Sequence, residues 1–287
     1  MNPDAESRSF TSRVEELQLR RNSLLCIGLD PDVRSMPPHF GTTPSAVLSF
    51  NKAIIEATHD LVCAYKLNLA FYEALGYQGW SVLQQTLAAI PSSLLTIGDG
   101  KRADIGNTSS KYACALFDEC GFDAVTVNPY MGLDSLEPFL ERSDRGVFVL
   151  ALTSNPGSRD FQRLKVGAVP LYERVIRTAR RWNTRGNLGF VVGATHPREL
   201  RAVRTLAPDV PILIPGVGSQ GGDLTAAVRN GSNRRGALAL INIGRTILYA
   251  GRDESFVAAA RTEAVSLHAQ ISSIRMKYFR PAPPARP

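Results

Sequence analysis

The segment LLTIGDGKRADI, residues 94–105, begins as an apolar run and ends in alternating charges. Its first half, LLTIGD (94–99), is largely apolar on both faces of a strand, which is typical of parallel strands buried on both sides. Seven further segments of this kind lie along the chain, at 24–30, 62–68, 123–128, 146–152, 188–194, 211–216 and 237–243. Residues 94–99 are therefore the third of eight predicted buried strands.

Helix-like segments separate these strands. The segment 43–60 opens with Thr43 and Pro44, a pair typical of a helix start. Further helices are predicted over 169–183, 195–207 (with Thr195 as N-cap) and 221–231. Eight strands that alternate with helices predict an α/β fold, the (β/α)8 or TIM barrel. A doubly wound sheet is the alternative, but it rarely contains eight such regular units.

We expect a single domain, because no internal linker interrupts the pattern of strands and helices. A barrel of this type commonly needs about 250 residues, and the chain has 287. We predict a polar N-terminal extension over 1–20, the barrel over 21–274, and a disordered, Pro-rich basic tail over 275–287.

Net charge, apolar runs and cysteine spacing limit the classes of protein that fit this sequence. The net charge is +7, but the basic residues are dispersed, so we expect a small phosphorylated substrate and no nucleic acid. No apolar run approaches the roughly 20 residues that span a bilayer, and no signal peptide is visible, so we expect a cytoplasmic protein without a membrane partner. The four cysteines and four histidines show no metal-binding spacing, so we expect reduced cysteines and no metal site.

Polar residues follow most of the predicted strands, and in this fold the active site lies at the carboxyl ends of the strands. The first four strands end in Asp30, in Lys66, in Asp99 with Lys101, and in Asn128. The segments TSNPGS (153–158), PGVGSQGG (215–222) and GRT (244–246) follow the fifth, seventh and eighth strands. A single charged residue at a strand end is usually a solvated cap. Polar residues at the ends of so many strands predict one active site.

The loops after the seventh and eighth strands predict a phosphate site. Glycines allow backbone N–H groups to approach an anion closely, and an arginine can bind phosphate oxygens through two nitrogens. The first loop contains Gly216, Gly218, Gly221 and Gly222, and Arg245 follows the eighth strand. Ordinary turn glycines and a surface arginine are the alternative, but both elements stand where barrel enzymes commonly bind phosphate.

The charged half of the opening segment predicts a proton donor. Side chains alternate along a strand, so Asp99 and Lys101 share a face, Arg102 points away, and Asp104 lies beyond the strand. A lysine between two carboxylates stays protonated and can donate that proton. A structural ion pair at the strand end is an equally good interpretation of this stretch alone.

The sequence DGKRADI (99–105) matches the D-x-K-x-x-D-I signature of the orotidine 5'-phosphate decarboxylases, and the chain resembles the longer, bacterial (type 2) subfamily. The other segments that carry the resemblance are KLNLAFYEALG (66–76), VNPYMG (127–132), TSNPGS (153–158), VVGATHPREL (191–200) and PGVGSQGG (215–222). The resemblance runs from about residue 22 to 250. It implies the conversion of orotidine 5'-monophosphate to uridine 5'-monophosphate (UMP) and carbon dioxide, the last step of de novo UMP synthesis, without metal or cofactor.

The resemblance also implies roles for individual residues. Lys66, Asp99, Lys101 and Asp104 form a charged tetrad in which Lys101 donates a proton to C6 of the pyrimidine. Asp30 and Lys66 hold the ribose hydroxyls, Asp99 lies against the leaving carboxylate, and Ser154 bonds the pyrimidine. Gln220 and Arg245 bind the phosphate, and the other implied substrate-binding residues of these loops are Pro215, Gly216, Gly218 and Gly244. In the implied homodimer, Asp104, Ile105 and Thr108 reach the partner's active site.

Two alternatives remain open at this point. The first is a magnesium-dependent sugar-phosphate decarboxylase or aldolase of the same barrel superfamily. Those relatives have in common a metal-binding Glu at the end of strand two. This chain has Lys66 at that position, and a cation there disfavours a divalent metal. The second is a non-catalytic nucleotide-binding barrel, which would usually have lost part of the tetrad.

Overall fold

Eight parallel strands close into a barrel in a computed structural model that describes residues 9–218 and 220–279. The strands are β1 (Leu25–Gly28), β2 (Ala64–Asn68), β3 (Leu95–Arg102), β4 (Ala124–Val127), β5 (Gly146–Leu152), β6 (Leu188–Val192), β7 (Ile212–Pro215) and β8 (Ala239–Ile243). They are paired in chain order, and β8 closes on β1 with Leu25 opposite Ile241. The predicted (β/α)8 barrel is confirmed.

Helices lie between the strands and around the barrel. They are α1 (Phe10–Arg21), α2 (Pro44–Thr58), α3 (Leu69–Glu73), α4 (Gly79–Ala89), α5 (Gly106–Ala113), α6 (Glu137–Leu140), α7 (Ser158–Phe161), α8 (Leu171–Trp182), α9 (Pro197–Leu206), α10 (Leu224–Gly231), α11 (Arg245–Leu248) and α12 (Phe256–Tyr278). A π-helix, Cys114–Glu119, continues α5, and short 3-10 turns occupy Pro38–Phe40, Gly76–Gln78 and Pro129–Met131. In the described part of the chain, no helix is long and apolar enough to cross a membrane.

Each predicted strand coincides with an observed one, and two details differ. Lys165–Val166 and Val169–Pro170 form a small antiparallel ribbon that the sequence did not predict. The prediction of Thr195 as the N-cap of α9 was wrong, because the cap is His196. The Thr195 hydroxyl instead donates to the carbonyl of Ser154, 3.3 Å away.

The expected polar extension over 1–20 was wrong where the chain is described, from residue 9 onward. Phe10, Val14 and Leu17 are buried on one face of α1 and pack with residues inside the barrel such as Phe148. These positions recur at helical spacing, so one face of α1 covers the open amino-terminal end of the barrel. Residues 1–8 lie outside the described residues.

Gln18 of α1 reaches into the barrel and pairs with β8. Its Nε2 donates to the carbonyl of Ala239 over 2.8 Å, and its Oε1 accepts the N–H of Leu238 over 2.7 Å. Because Gln18 is completely buried, both halves of its amide need these partners.

The start of the expected disordered tail is ordered, and that part of the prediction was wrong. The last helix, α12, continues to Tyr278. Arg275 holds it to the barrel by donating to the carbonyl of Gly236 (2.8 Å) and to Oδ1 of Asn22 (2.9 Å). The remainder of the tail, residues 280–287, lies outside the described residues.

Arg204 of α9 ties four elements together from a buried position. Its guanidinium donates to six carbonyl contacts at 2.6–3.1 Å, on Ala207, Pro208, Val210, Gly231 and Leu238. Burial lowers the pKa of Arg204 to about 9, yet it remains charged at neutral pH. This arginine stabilises the joins between α9, β7, α10 and β8.

Candidate active site

Lys66 lies at the carboxyl end of β2 between two carboxylates. Its Nζ is 3.3 Å from Oδ1 of Asp30, which follows β1, and 3.1 Å from Oδ2 of Asp99 in β3. The backbone N–H of Asn68 also donates to Asp30, over 3.1 Å. The Lys66 side chain is only 4% exposed, so these charges interact where water screens them little.

For both Lys66 and Asp99, burial shifts the pKa in one direction and the neighbouring charges shift it in the other. Burial by itself would lower the pKa of Lys66, but the carboxylates of Asp30 and Asp99 outweigh it and raise that pKa above its ordinary value. Burial would likewise raise the pKa of Asp99, but the ammonium groups of Lys66 and Lys101 hold it well below its usual range. Both Lys66 and Asp99 are therefore charged at neutral pH.

Asp99 also binds Lys101, and it does so at the open mouth of the barrel. The Lys101 Nζ donates to Oδ1 of Asp99 over 2.7 Å, and the hydroxyl of Thr126 donates to the same oxygen over 2.8 Å. The Lys101 side chain is 45% exposed, so its ammonium faces the mouth. In the described part of the chain, its one ion-pair partner is Asp99. Within a single chain the lysine that lies between two carboxylates is Lys66, and the expected second carboxylate at Lys101 stays a prediction.

The backbone explains why Asp99 and Lys101 meet. The pairing of β3 with β4 shifts between Gly98 and Arg102, and Lys101 has a left-handed φ of 48°. The Lys101 N–H donates to Oγ1 of Thr126 over 3.0 Å, which supports this conformation. Simple strand alternation therefore does not hold here. Arg102 nevertheless turns away, as predicted, and forms an ion pair with Glu73.

Asp104, Ile105 and Thr108 lie apart from this cluster. The Asp104 carboxylate accepts the N–H of Ile105 over 2.7 Å, and no ion pair joins it to a lysine within residues 9–218 and 220–279. Ile105 is the N-cap of α5 and is 64% exposed, and Thr108 is exposed in the first turn of the same helix. A single chain does not bring these three residues to Lys101.

The loop after β7 folds tightly beside the loop after β5. Gly216 and Gly218, which follow Pro215, have φ values of 98° and 78°, a region that favours glycine. A Cβ on Gly216 would lie 2.9 Å from Oε1 of Gln220. That oxygen accepts a hydrogen bond of 2.9 Å from the hydroxyl of Ser154. The fold thus brings together Ser154 and Gln220, which are 66 residues apart.

Arg245 stands at the neighbouring strand end. It follows Gly244 as the first residue of α11 and is exposed. Among the described residues its guanidinium has no hydrogen bond or ion pair, which leaves it available to an anion. A Cβ on Gly218 would lie 2.9 Å from Oγ1 of Thr246, so the glycine loop reaches the start of α11.

Two further polar residues of the site were missed. Thr126 of β4 supports both Asp99 and Lys101. Asn242 of β8 is 9% exposed, and its Oδ1 would lie 3.4 Å from a Cβ on Gly28, as would Oδ2 of Asp30. Each is a single polar residue within an otherwise apolar strand, and that pattern could have identified them.

A closed parallel barrel with charged side chains gathered at the carboxyl ends of its strands defines an enzyme of the (β/α)8-barrel class. A family model described as "Orotidine 5'-phosphate decarboxylase / HUMPS family" matches residues 23–260. The chain belongs to this family, and the resemblance found in the sequence is confirmed.

Individual relatives are similar over nearly their whole length. A protein of Dehalococcoides mccartyi named orotidine 5'-phosphate decarboxylase is 49% identical over 273 residues, covering 94% of this chain and 99% of its own. A protein of the same name from Herpetosiphon aurantiacus is 49% identical over 257 residues, covering 89% of this chain and 95% of its own. The structure of Leishmania donovani OMP decarboxylase superimposes with a TM-score of 0.83 at 39% identity, covering 94% of this chain and 100% of that one.

Proposed function

We propose that this protein converts orotidine 5'-monophosphate to UMP and carbon dioxide without a metal or cofactor, as the last step of de novo UMP synthesis. The observation that carries the proposal is the position of the Lys66 ammonium, 3.1–3.3 Å from Asp99 and Asp30. A magnesium-dependent relative would use an acidic residue at this strand end to bind its metal. Here a buried cation already occupies the carboxylates and would repel a divalent ion.

The proposed reaction breaks the bond between C6 and its carboxylate. Carbon dioxide leaves, the electron pair stays on C6, and the Lys101 ammonium transfers a proton to that carbon. The 2.7 Å contact between Lys101 and Asp99 supports this assignment, because it places a proton donor beside a fixed negative charge. As negative charge moves from the carboxylate to C6, the ammonium becomes a better partner for it.

Repulsion between the substrate carboxylate and Asp99 supplies part of the rate enhancement. Two carboxylates about 4 Å apart repel by roughly 4 kcal/mol at an effective dielectric near 20. If departure of carbon dioxide relieves that repulsion, the rate gains about three powers of ten. Lys66, Lys101 and Thr126 keep Asp99 charged and in place to exert this effect.

The geometry of the mouth supports the remaining proposed contacts with the substrate. Asp30 and Lys66 would hold the ribose hydroxyls, and Ser154 the pyrimidine. The phosphate would lie against Arg245, Gln220 and the backbone of Gly216, Gly218 and Gly244. The free guanidinium of Arg245 supports this arrangement, since phosphate binding can supply energy to hold the reacting end in a strained geometry.

We also propose a homodimer with shared active sites, in which Asp104, Ile105 and Thr108 complete the partner's site. Two exposed apolar side chains that follow neighbouring strands support this proposal: Ile105 is 64% exposed and Tyr130 is 87% exposed. Side chains of this kind at one surface are typical of an interface. For location we propose the cytoplasm, which suits the four free cysteines.

Loss of orotidine 5'-monophosphate absorbance tests the reaction. Purified protein with EDTA should turn over the substrate, and Lys101→Ala should lose nearly all activity while still binding UMP. Lys52→Ala, at an exposed lysine of α2, serves as the matched control and should behave as wild type. Turnover that requires added magnesium would instead indicate the sugar-phosphate branch, and absence of turnover under every condition would exclude both enzymatic functions.

A mixing experiment tests the shared site. Lys101→Ala and Asp104→Ala subunits are each inactive alone, but a mixed dimer has one site with both residues intact. Equal mixing with full exchange should restore about a quarter of wild-type activity. No recovery despite subunit exchange, shown by native mass spectrometry, would contradict the role of Asp104 across the interface.

A further inference from the structure

His196 joins the loop after β5 to the start of α9 through both nitrogens of its ring. Nε2 lies 3.0 Å from the carbonyl oxygen of Thr153, and Nδ1 lies 2.8 Å from Nη2 of Arg163. A carbonyl oxygen only accepts and a guanidinium only donates. Both contacts are therefore satisfied when the proton is on Nε2 and Nδ1 is bare.

Arg163 depends on His196 and one carboxylate for its position. Its Nη2 also lies 2.9 Å from Oε1 of Glu199 in α9. Its Nε is buried and has no hydrogen-bond partner in the described part of the chain. Nη2 of Arg163, held by both His196 and Glu199, thus fixes this part of the loop.

The segment that His196 holds is Thr153, and every polar group of that residue is bonded. Its N–H donates to Oε1 of Gln162 over 2.8 Å, its hydroxyl accepts from Nε2 of Gln162 over 2.9 Å, and its carbonyl accepts from His196. The next residue is Ser154, against which Gly193 packs so closely that a Cβ there would lie 2.8 Å from the Ser154 backbone. Thr153 and Ser154 are therefore held against the segment between β6 and α9.

We infer that His196 is a positioning residue that sets the direction of the Ser154 hydroxyl at the mouth of the barrel. This inference rests on the proposed function, in which Ser154 binds the pyrimidine. The 2.9 Å hydrogen bond from Ser154 to Gln220 joins the loops after β5 and β7, so a small shift of the Thr153 backbone changes what the hydroxyl can reach. His196 acts through Thr153 and does not itself touch the substrate.

Three variants test the role of His196. His196→Ala removes both contacts, and His196→Gln keeps an amide N–H that can donate to Thr153. His268→Ala, on the outer helix α12, is the matched control. The measurements are kcat and KM for orotidine 5'-monophosphate, and amide hydrogen exchange over residues 152–156.

We expect His196→Ala to raise KM about tenfold with little change in kcat, and to speed exchange at Thr153 and Ser154. His196→Gln should recover most of the affinity, because its amide N–H can still donate to Thr153. Unchanged KM and unchanged exchange in His196→Ala would overturn the inference. So would equal loss in both His196 variants. Wild-type protein that fails to turn over the substrate would refute the proposed function instead, while the exchange measurement would still decide whether His196 holds the segment.

Discussion

Replacing Lys66 with methionine should destabilise the folded protein more at neutral pH than at acid pH. Methionine keeps most of the length and apolar character of the side chain and removes the charge. The change leaves Asp30 and Asp99 facing each other across a buried site, with Lys101 as the remaining cation on Asp99.

The magnitude follows from the observed distances. At 3.3 Å and 3.1 Å, each Lys66–carboxylate contact is worth roughly 5 kcal/mol at an effective dielectric near 20. Burying the ammonium costs several kcal/mol, and methionine avoids this cost. The net loss expected in the free energy of unfolding is therefore about 3–5 kcal/mol, the usual cost of removing one partner of a buried pair.

The pH dependence follows from the carboxylate. The pKa of folded Asp99 lies below its unfolded value, so its ionised form contributes stability above the unfolded pKa, and this is lost as pH falls through the folded pKa. Without Lys66, burial raises the pKa of Asp99, and Lys101 offsets this only in part. Asp99 then takes up a proton at a higher pH than in wild type, which relieves the uncompensated charge. The difference in stability between wild type and Lys66→Met should narrow as the pH falls.

Urea unfolding, followed by circular dichroism at fixed protein concentration, measures this difference at pH 7.5 and pH 5 (both above the ordinary pKa of an aspartate, about 3.9). Lys52→Met, at an exposed position in α2, is the matched control and should unfold with wild type. A loss below about 1 kcal/mol for Lys66→Met would refute the reasoning, since an exposed ion pair typically contributes no more than that. A loss that is equal at both pH values would refute the part assigned to Asp99.

Three further predictions concern other parts of the fold. Arg245→Ala should raise KM for orotidine 5'-monophosphate about 100-fold, because it removes charge-assisted bonds to the phosphate. Arg185→Ala, at the opposite end of the barrel, is the control and should leave KM unchanged. Steady-state kinetics measure both variants. Arg204→Met should cost about 3 kcal/mol or more in urea unfolding, because buried carbonyls lose their donor, and a near-neutral effect would contradict its structural role. Phe10→Ala should cost about 3–5 kcal/mol by opening a cavity under α1, and a cost below 1 kcal/mol would show that α1 does not close the barrel.

The barrel could be predicted from the sequence because buried parallel strands have a distinctive composition. Segments such as 94–99 and 146–152 are apolar on both faces. Few other secondary-structure elements of that length are apolar on both faces. The helix α1 was missed because its apolar residues, Phe10, Val14 and Leu17, are separated by charged ones, so the segment is polar on average while one face is not. Composition alone does not detect such a face, whereas helical periodicity does.

The members of the site could be predicted, but their pairing could not. Strand ends identify Asp30, Lys66 and Asp99 as neighbours on three adjacent strands. Which lysine lies between two carboxylates depends on side-chain direction at the barrel mouth, which the sequence does not contain. The left-handed conformation of Lys101 and its support by Thr126 arise from the shifted pairing of β3 and β4, a tertiary effect that strand alternation cannot anticipate.

The position of Gln18 has a consequence for synthesis of the protein on the ribosome. Its amide partners, Leu238 and Ala239, are about 220 residues downstream, so α1 cannot complete its docking until the last strand has been translated. Until then, the nascent chain exposes the apolar face of α1 and an unsealed barrel interior. Prematurely terminated chains that lack β8 should therefore aggregate or bind chaperones. Closure of the amino-terminal end of the barrel becomes a late step, because it requires β8.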